Sequence, residues 1–574
     1  MNLGAIDWGI IIAFFALTLL IGIVVSKRAG SNTSEFFLSG RNMPWWLLGV
    51  SMVATTFGAD TPNLVSGIVR KNGIAGNWEW WAFCITGMVT VFIYARLWRR
   101  LGISTDLEFY ELRYSGRAAS FLRGFRALYL GVFFNIVVMA TVCLAGIKIG
   151  NVMLGLAWYE TLGITGAITV VYSMFGGLRG VIFTDFFQFI VAMIGSVWAA
   201  YFIINMPEIG GLDNLIHHEA VQDKLNFVPD SVENYELWLA VFIIPLAVQW
   251  WSVWYPGSEP GGGGYIAQRM LSAKDEKNAT LATLLFNFAH YALRPWPWIL
   301  IGLASLIVFP DLKVLGEQYP NLPESMIEHD LAYPAMLTYL PAGLLGLVLA
   351  SLISAFMSTI STHLNWGSSY VVNDFYKRFI NPDASEKKLV FIGRLSTVIM
   401  MVFAAALSLI LEEAKVAFDL ILTIGAGTGL LFILRWFWKD INPYSEIAAM
   451  IVSFLVAVFF FINTKMGWFD FPGYVSLISG VIITTIAWVI VTLLTRNDKF
   501  LNPEFEKRAF VDEGKFKGMG LKIVSVFFGC VAVYSALFAV GHYLVGTASN
   551  ALWFGVSFVL SAAIIVFCWR KISY

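Results

Sequence analysis

Long runs of apolar residues, separated by short polar connections, make up most of the chain. A helix needs about 20 predominantly apolar residues to cross the hydrocarbon core of a bilayer. The pattern therefore predicts fifteen membrane-spanning helices, of which the run at 334–372 is too long for one straight helix. Their approximate bounds are 5–25, 45–69, 76–98, 121–149, 157–175, 180–205, 237–256, 279–309, 334–372, 389–411, 416–438, 446–463, 473–494, 521–543 and 550–569.

Composition supports a polytopic membrane protein. Only 13% of the 574 residues are charged and 58% are hydrophobic, whereas a soluble domain carries about 25% charged residues. The formal net charge is zero, which gives no reason to expect a nucleic-acid partner. The four cysteines lie in apolar runs without CxxC spacing, so we expect small buried side chains rather than disulfides or a metal site. The first apolar run lacks the flanks of a signal peptide and is predicted to be retained as a span.

Basic residues predict the orientation in the membrane. They concentrate in alternate connections, such as those at 99–126 and 496–522, whereas the loops at 206–236 and 310–333 are dominated by acidic residues. Because short cytoplasmic loops are enriched in Lys and Arg, we expect the N-terminus outside and the C-terminus in the cytoplasm. An odd number of spans requires the same result. The expected location is the plasma (inner) membrane.

Polar groups at membrane depth are costly and are therefore functional candidates. The second predicted span, GVSMVATTFGADTPNLVSG at 49–67, is interrupted by Gly58, Asp60, Pro62 and Asn63. A helix broken at this depth persists only where its backbone lines a cavity or is buried in protein. Its carbonyls can then bind a cation and its amides an anion. A simple proline kink eased by small residues is the alternative.

A second stretch, YSMFGGLRGVIFTDFFQ at 172–188, places a carboxylate in an apolar span. Gly176 and Gly177 predict a tight turn, after which Asp185 enters the span. A carboxylate there must protonate, bind a cation or pair with an arginine, and the residues alone leave these alternatives open.

A third stretch, SAFMSTISTHLNW at 354–366, brings four hydroxyls into five positions. On a helix, the i, i+3, i+4, i+7 spacing places four residues on one face: Ala355, Ser358, Thr359 and Thr362. Hard cations prefer oxygen ligands, and uncharged oxygens bind a cation weakly enough for it to be released. The alternative is that these hydroxyls bond back to their own helix or allow close packing. For His363 we expect a structural hydrogen bond rather than a role in proton coupling.

Three motifs together resemble the sodium:solute symporter family, which includes the sodium/glucose, sialic acid and proline carriers. They are GGLRGVIFTDFFQ, YIAQRMLSAKDEK and AFMSTISTHLNWGSSYVVNDFY, and the resemblance covers roughly 5–465. It implies an all-α polytopic fold with a five-plus-five inverted-repeat, leucine-transporter-like core, one preceding helix and about four following helices. The implied segments are a leading helix and loop at 1–44, a first repeat at 45–205, an extracytoplasmic loop at 206–236, a second repeat at 237–438 and accessory helices at 439–574.

The resemblance also implies two sodium sites. The main site would take carbonyls and hydroxyls from Ala54, Phe57, Ala355, Ser358 and Thr359. The second would use Asp185 and Ser358 with two further hydroxyls, those of Ser361 and Thr362. Sodium is then the coupling ion, and two ions move in each cycle.

The solute is less defined by the resemblance. NWEWW at 77–81 resembles the sugar site of the sodium/glucose carriers and implies a hydroxyl acceptor at Glu79, although a glutamate in an interfacial tryptophan belt is an equal alternative. Other sugar-site positions do not match glucose recognition, so the expectation is a small polar solute of the sugar or sugar-acid class. The remaining candidate solute residues are Thr56, Asp60, Thr61, Trp250, Trp251, Tyr255 and His290. For the two tryptophans, the alternative to solute binding is packing against lipid or in the core. The Gly-rich insert at 256–264, with Glu259, departs from the family pattern and makes the position of Tyr255 uncertain.

Three functional classes compete. We expect a sodium-coupled symporter that needs no obligate protein partner. An amino-acid or carboxylate symporter, or a solute sensor on the same fold, is the alternative. A membrane enzyme using His363 and Asp185 would need a second histidine or a metal cluster at depth, which the spacing of the six histidines does not provide.

Overall fold

The structure, a computed structural model, describes residues 3–26, 32–252, 259–320, 322, 324–411, 425, 427–510 and 514–572. Within these ranges the chain is helical, and strand pairing is limited to two isolated bridges, Met43 with Ala273 and Tyr114 with Leu501. Eleven helices of the described part are long and apolar enough to cross a membrane. The predicted all-α polytopic architecture is confirmed.

We number the principal helices α1 to α16 in chain order. They are α1 (Ala5–Ser26), α2 (Trp45–Thr55), α3 (Asp60–Asn72), α4 (Ile74–Leu101), α5 (Arg117–Leu154), α6 (Trp158–Ile204), α7 (Tyr235–Ala247), α8 (Gly264–Ser272), α9 (Glu276–Val308), α10 (Leu344–Ile380), α11 (Glu386–Ser408), α12 (Gly429–Leu434), α13 (Pro443–Met466), α14 (Gly473–Leu494), α15 (Met519–Leu544) and α16 (Ala548–Lys571). Short helices at Thr33–Leu38, Glu108–Arg113, Leu212–His217, Leu312–Gln318, Ala332–Leu337 and Pro503–Phe510 connect them.

The predicted interruption of the second span is present. Helix α2 ends at Thr55 and α3 begins at Asp60, with non-helical backbone between them. Pro62 does not itself break the helix. It lies in the first turn of α3, where the missing N–H would have had no intrahelical partner.

Two long runs are divided as their length requires. Helix α6 has 47 residues and bends at Gly177, whose φ of 53° and ψ of −172° suit only glycine. The turn predicted between 157–175 and 180–205 is therefore this bend. The run at 334–372 divides into Ala332–Leu337 and α10. Most of the predicted span at 416–438 lies outside the described residues, which resume with α12.

Burial separates a core from peripheral helices. In their most apolar windows, 89% of the residues of α4 and of α10 are buried, against 11% for α16. Helix α9 packs beside both halves of the broken helix, while α6 packs along α10 and α1. The pairs α13–α14 and α15–α16 pack largely within each pair and expose apolar side chains, as expected of surfaces that face lipid.

Buried ion pairs hold the described end of the Gly-rich insert in place. The Glu259 carboxylate accepts a hydrogen bond from Arg126 on α5 and lies 3.9 Å from Nη2 of Arg435, all three side chains being buried. Two residues later, the carbonyl of Gly261 accepts a hydrogen bond from Trp98 Nε1 at 2.6 Å. The described end of the insert is thus fastened to α4 and α5.

Candidate functional site

The hydroxyl-bearing face of α10 meets the end of α2. Thr359 Oγ1 donates to the carbonyl of Thr55 at 2.9 Å. This contact puts Ala355, Ala54 and Phe57 at one buried junction, since they neighbour its two partners on α10 and at the helix break. The carbonyls at the end of a helix have no intrahelical partner, so this junction offers oxygen atoms without a charged side chain.

The carbonyls of Thr55 and Thr56, at the end of α2 and just after it, accept hydrogen bonds on two sides of the break. On the α10 side the Thr55 carbonyl meets the Thr359 hydroxyl. On the α9 side the Thr56 carbonyl accepts a hydrogen bond from Arg294 Nη1 at 2.8 Å. The arginine is buried and stacks over Trp298, with its Cζ 5.5 Å from the ring centroid. The break therefore has a neutral, oxygen-rich side and a cationic side.

Asp185 joins α6 to both α2 and α10. Its carboxylate accepts hydrogen bonds from Ser51 Oγ at 2.6 Å and from Ser358 Oγ at 2.5 Å. All three side chains are buried. The sequence prediction joined Asp185 and Ser358 and did not include Ser51, although Ser51 lies one turn before Thr55 on the same helix face.

Arg269 of α8 supplies the nearest positive charge. Its Nη2 lies 3.8 Å from Asp185 Oδ2 and donates to Thr362 Oγ1 at 2.9 Å. Its Nε donates to Ser51 Oγ at 3.3 Å. Pairing of Asp185 with an arginine was the alternative left open by the residues, and the structure contains this pairing. The signal that identifies Arg269 is the Gln-Arg dipeptide of YIAQRMLSAK.

The two remaining hydroxyls of the predicted second sodium site have other partners. Thr362 Oγ1 lies 3.1 Å from Thr55 Oγ1, besides its contact with Arg269. Ser361 Oγ donates to the Ser358 carbonyl of its own helix at 3.0 Å. The structure therefore brings Thr362 into the Asp185 cluster through the arginine and leaves Ser361 beside it. Within the described residues, no three acidic, histidine or cysteine side chains group as a metal site.

Two of the predicted solute residues lie together on the α9 side. Thr56 Oγ1 is 3.1 Å from Nδ1 of His290, and Nε2 of the same histidine is 3.3 Å from Arg294 Nη2. Trp80 packs edge-on against His290, with ring centroids 5.6 Å apart. Thr61 reaches this group only weakly, through a 3.4 Å contact with the Thr56 carbonyl.

Asp60 and Glu79 line one cavity that extends along α3. Lys148 of α5 also lines this cavity and donates to both carboxylate oxygens of Asp330, at 3.0 and 2.9 Å. This partly buried ion pair is absent from the sequence prediction because its members are 182 positions apart. Gln249 connects the cavity wall to the end of α7 by donating to the Glu79 carbonyl at 2.8 Å.

Neither of the two predicted tryptophans lines this cavity. Trp250 and Trp251 contact each other edge-on, with centroids 5.2 Å apart. Trp251 packs against Leu477 and Val481 of α14, which agrees with the packing alternative. Tyr255 lies outside the described residues.

His363 is hydrogen-bonded within the core, as expected. Its Nδ1 is 2.5 Å from the Asn135 side-chain oxygen. The amide nitrogen of the same asparagine donates to the His363 carbonyl at 2.8 Å. This reciprocal pairing fixes α10 against α5.

Comparison with known proteins places this arrangement in a family. The sequence model of the sodium:solute symporter family matches residues 36–453, well over half of the chain. The chain belongs to the sodium:solute symporter family. It is therefore a membrane transporter and not an enzyme, and sodium is the coupling ion of its family.

Individual members of this family cover most of the chain. It is 27% identical to the sodium/glucose cotransporter of Vibrio parahaemolyticus over 84% of this chain and 90% of that protein. It is likewise 27% identical to sodium/glucose cotransporter 1 of Mus musculus, over 79% and 71% of the two chains. A solved sodium-coupled sialic acid symporter in a substrate-bound, outward-open state is 22% identical, with a TM-score of 0.66 over 86% of this chain and 98% of that one. This last likeness establishes the fold.

Proposed function

We propose that this protein imports a small polar organic solute together with sodium by alternating access, with two sodium ions moving in each cycle. The sugar or sugar-acid class is favoured because curated relatives are sodium/glucose cotransporters and a structural neighbour carries sialic acid. The observation that carries the proposal is the meeting of α2, α6 and α10 through Thr55, Asp185 and the Ser358–Thr359 pair.

The main sodium site in this proposal uses neutral oxygens at the helix break. Carbonyls of Ala54, Phe57 and Ala355 and hydroxyls of Ser358 and Thr359 would surround the ion. A site of this kind binds weakly enough for release, which a transported ion requires. Because sodium would join α2 to α10, it favours the conformation in which these helices touch.

The second sodium would bind at the Asp185 carboxylate with Ser358, Ser361 and Thr362. Arg269 already neutralises this carboxylate, so an ion entering here must share Asp185 with the guanidinium or move it. Each charge gains about 2.3 kcal/mol per 100 mV, so two ions gain about 4.6 kcal/mol, or on the order of a thousandfold solute accumulation. One ion would support only a tens-fold accumulation of the solute.

Coupling follows if ion and solute favour the same conformation. In this proposal sodium binds on the α10 side of the break, and the solute contacts Thr56 and His290 on the α9 side. Orientation in the plasma membrane, with the N-terminus outside and the C-terminus in the cytoplasm, is proposed from the distribution of basic residues.

The test is the thermal stability of the purified protein in sodium and in potassium, with and without a panel of hexoses, uronic acids and amino acids. We expect stabilisation by sodium that a solute from the panel increases further. The double variant Ser358→Ala/Thr359→Ala should lose the sodium effect. Ser396→Ala is the matched control, since this hydroxyl only bonds back to its own helix. Equal melting temperatures in sodium and potassium with every solute would refute the symporter proposal.

An amino-acid or carboxylate symporter is the second candidate. It is favoured by the buried Arg294 guanidinium, whose Nε has no hydrogen-bond partner within the described structure. The same panel separates the two, because an amino acid would then stabilise the sodium-bound protein whereas the hexoses and uronic acids would not.

A further inference from the structure

We propose that the segment at 498–510, which we call the strap, holds the inner ends of the core helices together while sodium is bound, and leaves them when the transporter opens to the cytoplasm. The strap lies in the connection between α14 and α15 and contains the helix Pro503–Phe510. The inference rests on the proposed alternating access and assigns part of its conformational step to this connection.

One face of the strap helix is buried. Phe505 is 2% exposed, Ala509 is 0% exposed, and Phe510 is buried beside them. The opposite face is charged and exposed, and consists of Glu504, Glu506, Lys507 and Arg508. A helix of only eight residues is not stable alone, and its stability comes from the surface that its apolar face covers. We therefore expect the strap helix to unfold when it leaves that surface.

The strap covers the inner ends of helices from both expected repeats. On the side of the first repeat, the Phe505 ring lies 5.4 Å from the ring of Phe109, measured between centroids. Arg508 Nη1 also donates to the carbonyl of Leu101, at the end of α4, at 3.3 Å. On the side of the second repeat, the Phe505 ring lies 5.7 Å from that of Trp436, just after α12. Because one ring packs against both repeats, movement of one repeat relative to the other must disrupt at least one of these contacts.

Neutral contacts fasten the strap to the core. The amide of Ser115 donates to the Phe500 carbonyl at 3.0 Å, and Asn502 Nδ2 donates to the Glu111 carbonyl at 3.2 Å. The ion pairs of this connection lie within it, and are Glu504 with Arg508 and Glu506 with Lys515. Departure of the strap therefore leaves these pairs intact, and the contact with the core can form and break reversibly.

The strap and the proposed sodium region share one hydrophobic cluster. The cluster contains Met52 and Val53, just before Thr55 on α2, together with Phe505 of the strap. In the structure the Thr55 carbonyl accepts its hydrogen bond from Thr359 while the strap is docked. Protein interiors are close-packed and transmit displacements between such neighbours. An ion that favours the contact between α2 and α10 should therefore favour the docked strap, and the docked strap should raise sodium affinity by the same factor.

Hydrogen–deuterium exchange of the purified full-length protein, in sodium and in potassium, tests this link. We expect the backbone amides of 503–510 to exchange roughly 3- to 10-fold more slowly in sodium, because sodium lowers the population of the undocked strap. Phe505→Ala should remove most of this protection and raise the sodium concentration for half-maximal thermal stabilisation by a similar factor. Lys507→Ala, on the exposed face of the same helix, is the matched control and should change neither value.

Arg508→Gln is a milder second variant, in case Phe505→Ala does not fold. It removes the hydrogen bond to the Leu101 carbonyl and the exposed pair with Glu504, and should produce the same changes to a smaller extent.

Two outcomes would overturn the inference and leave the proposed function intact. The first is equal exchange at 503–510 in sodium and in potassium, by a protein whose melting temperature sodium raises. The second is an unchanged sodium dependence in the strap variants. A melting temperature that sodium does not change in any condition would instead refute the proposed function, and the inference with it.

Discussion

Arg269 and Asp185 form a fully buried ion pair, with 3.8 Å between Nη2 and Oδ2, at the point where three helices of the transporter meet. From the family resemblance, this buried carboxylate was expected to bind a cation. Here a side chain of the protein provides the positive charge, and the hydroxyls of Ser51 and Thr362 bind the same guanidinium. The proposed second sodium would therefore compete with Arg269 for one carboxylate.

Arg269→Gln should destabilise the protein in potassium by about 3–5 kcal/mol, because it leaves Asp185 charged and without its buried partner. Sodium should restore part of this loss, since the ion can replace the guanidinium. Thermal unfolding in the two salts provides the measurement. In the Asp185→Asn background the same change should cost much less. Equal costs in both backgrounds would show that the two residues are not coupled.

Asp185→Asn should reduce the Hill coefficient for sodium toward one, because it removes the charge proposed to hold the second ion. The sodium dependence of solute uptake measures this directly. Asp213→Asn, in an exposed loop helix, is the control and should leave the coefficient unchanged. A coefficient that stays above one in Asp185→Asn excludes this residue from the second site.

Gly58→Ala should weaken solute binding more than sodium binding. A Cβ at this position would lie 2.1 Å from Asp60 Oδ1, so the carboxylate must turn away, but 3.4 Å from Thr359 Oγ1, an ordinary contact. Isothermal titration with the solute identified by the panel, and sodium-induced thermal shift, separate the two effects. Gly555→Ala on α16, where a Cβ meets nothing within 4 Å, should change neither. A larger effect on sodium than on solute would contradict this reading.

Glu259→Gln should lower stability by about 3–5 kcal/mol, because Arg126 would lose its buried carboxylate partner, while Arg435 would keep Glu446. Thermal or denaturant unfolding in detergent measures the change. The control is Glu504→Gln, which removes an exposed pair with Arg508 and should cost less than about 1 kcal/mol. Similar costs for the two variants would show that the Gly-rich insert is not held by its charge.

The segment at 328–331 predicts a pH dependence. Burial, with the nearby charges of Arg70, Lys71 and Lys224, lowers the pKa of His329 to about 4, against the opposing effect of Asp330. An unfolded histidine has a pKa of about 6.5. Between these values the unfolded chain binds a proton that the folded chain does not, so stability should decrease as the pH falls from about 6.5 toward 4.

His329→Gln should flatten the stability profile over this pH range, as measured by thermal unfolding at a series of pH values. The control is His217→Gln at an exposed site, which should retain the wild-type slope. A wild-type profile that is flat between these pH values would contradict the lowered pKa.

The sequence predicted the parts of the site that local pattern determines. Helical spacing put Ser358 and Thr359 on one face, and the density of Gly58, Asp60 and Pro62 identified the break before α3. Such signals arise from neighbours within a few positions. The exact break, between Thr55 and Asp60, differs from the position of the proline because the first turn of a helix tolerates proline.

The partners of the site residues were not predictable in the same way. Arg294 reaches the Thr56 carbonyl from 238 positions away, and Lys148 pairs with Asp330 across 182. No periodicity connects such residues, since their contact depends on how α3, α5 and α9 pack. Arg269 is the exception, because its motif identifies it even though spacing does not.

The ion pairs of Glu259 have a consequence for any movement of the described end of the insert away from Arg126 and Arg435. One carboxylate serves two guanidiniums, but Arg435 also pairs with Glu446 at 3.3 Å, so withdrawing the described end of the insert would leave Arg126 as the guanidinium without its buried carboxylate. Water must then replace the carboxylate at the Arg126 guanidinium. Displacement of this end of the insert is therefore coupled to the entry of water beside Arg126.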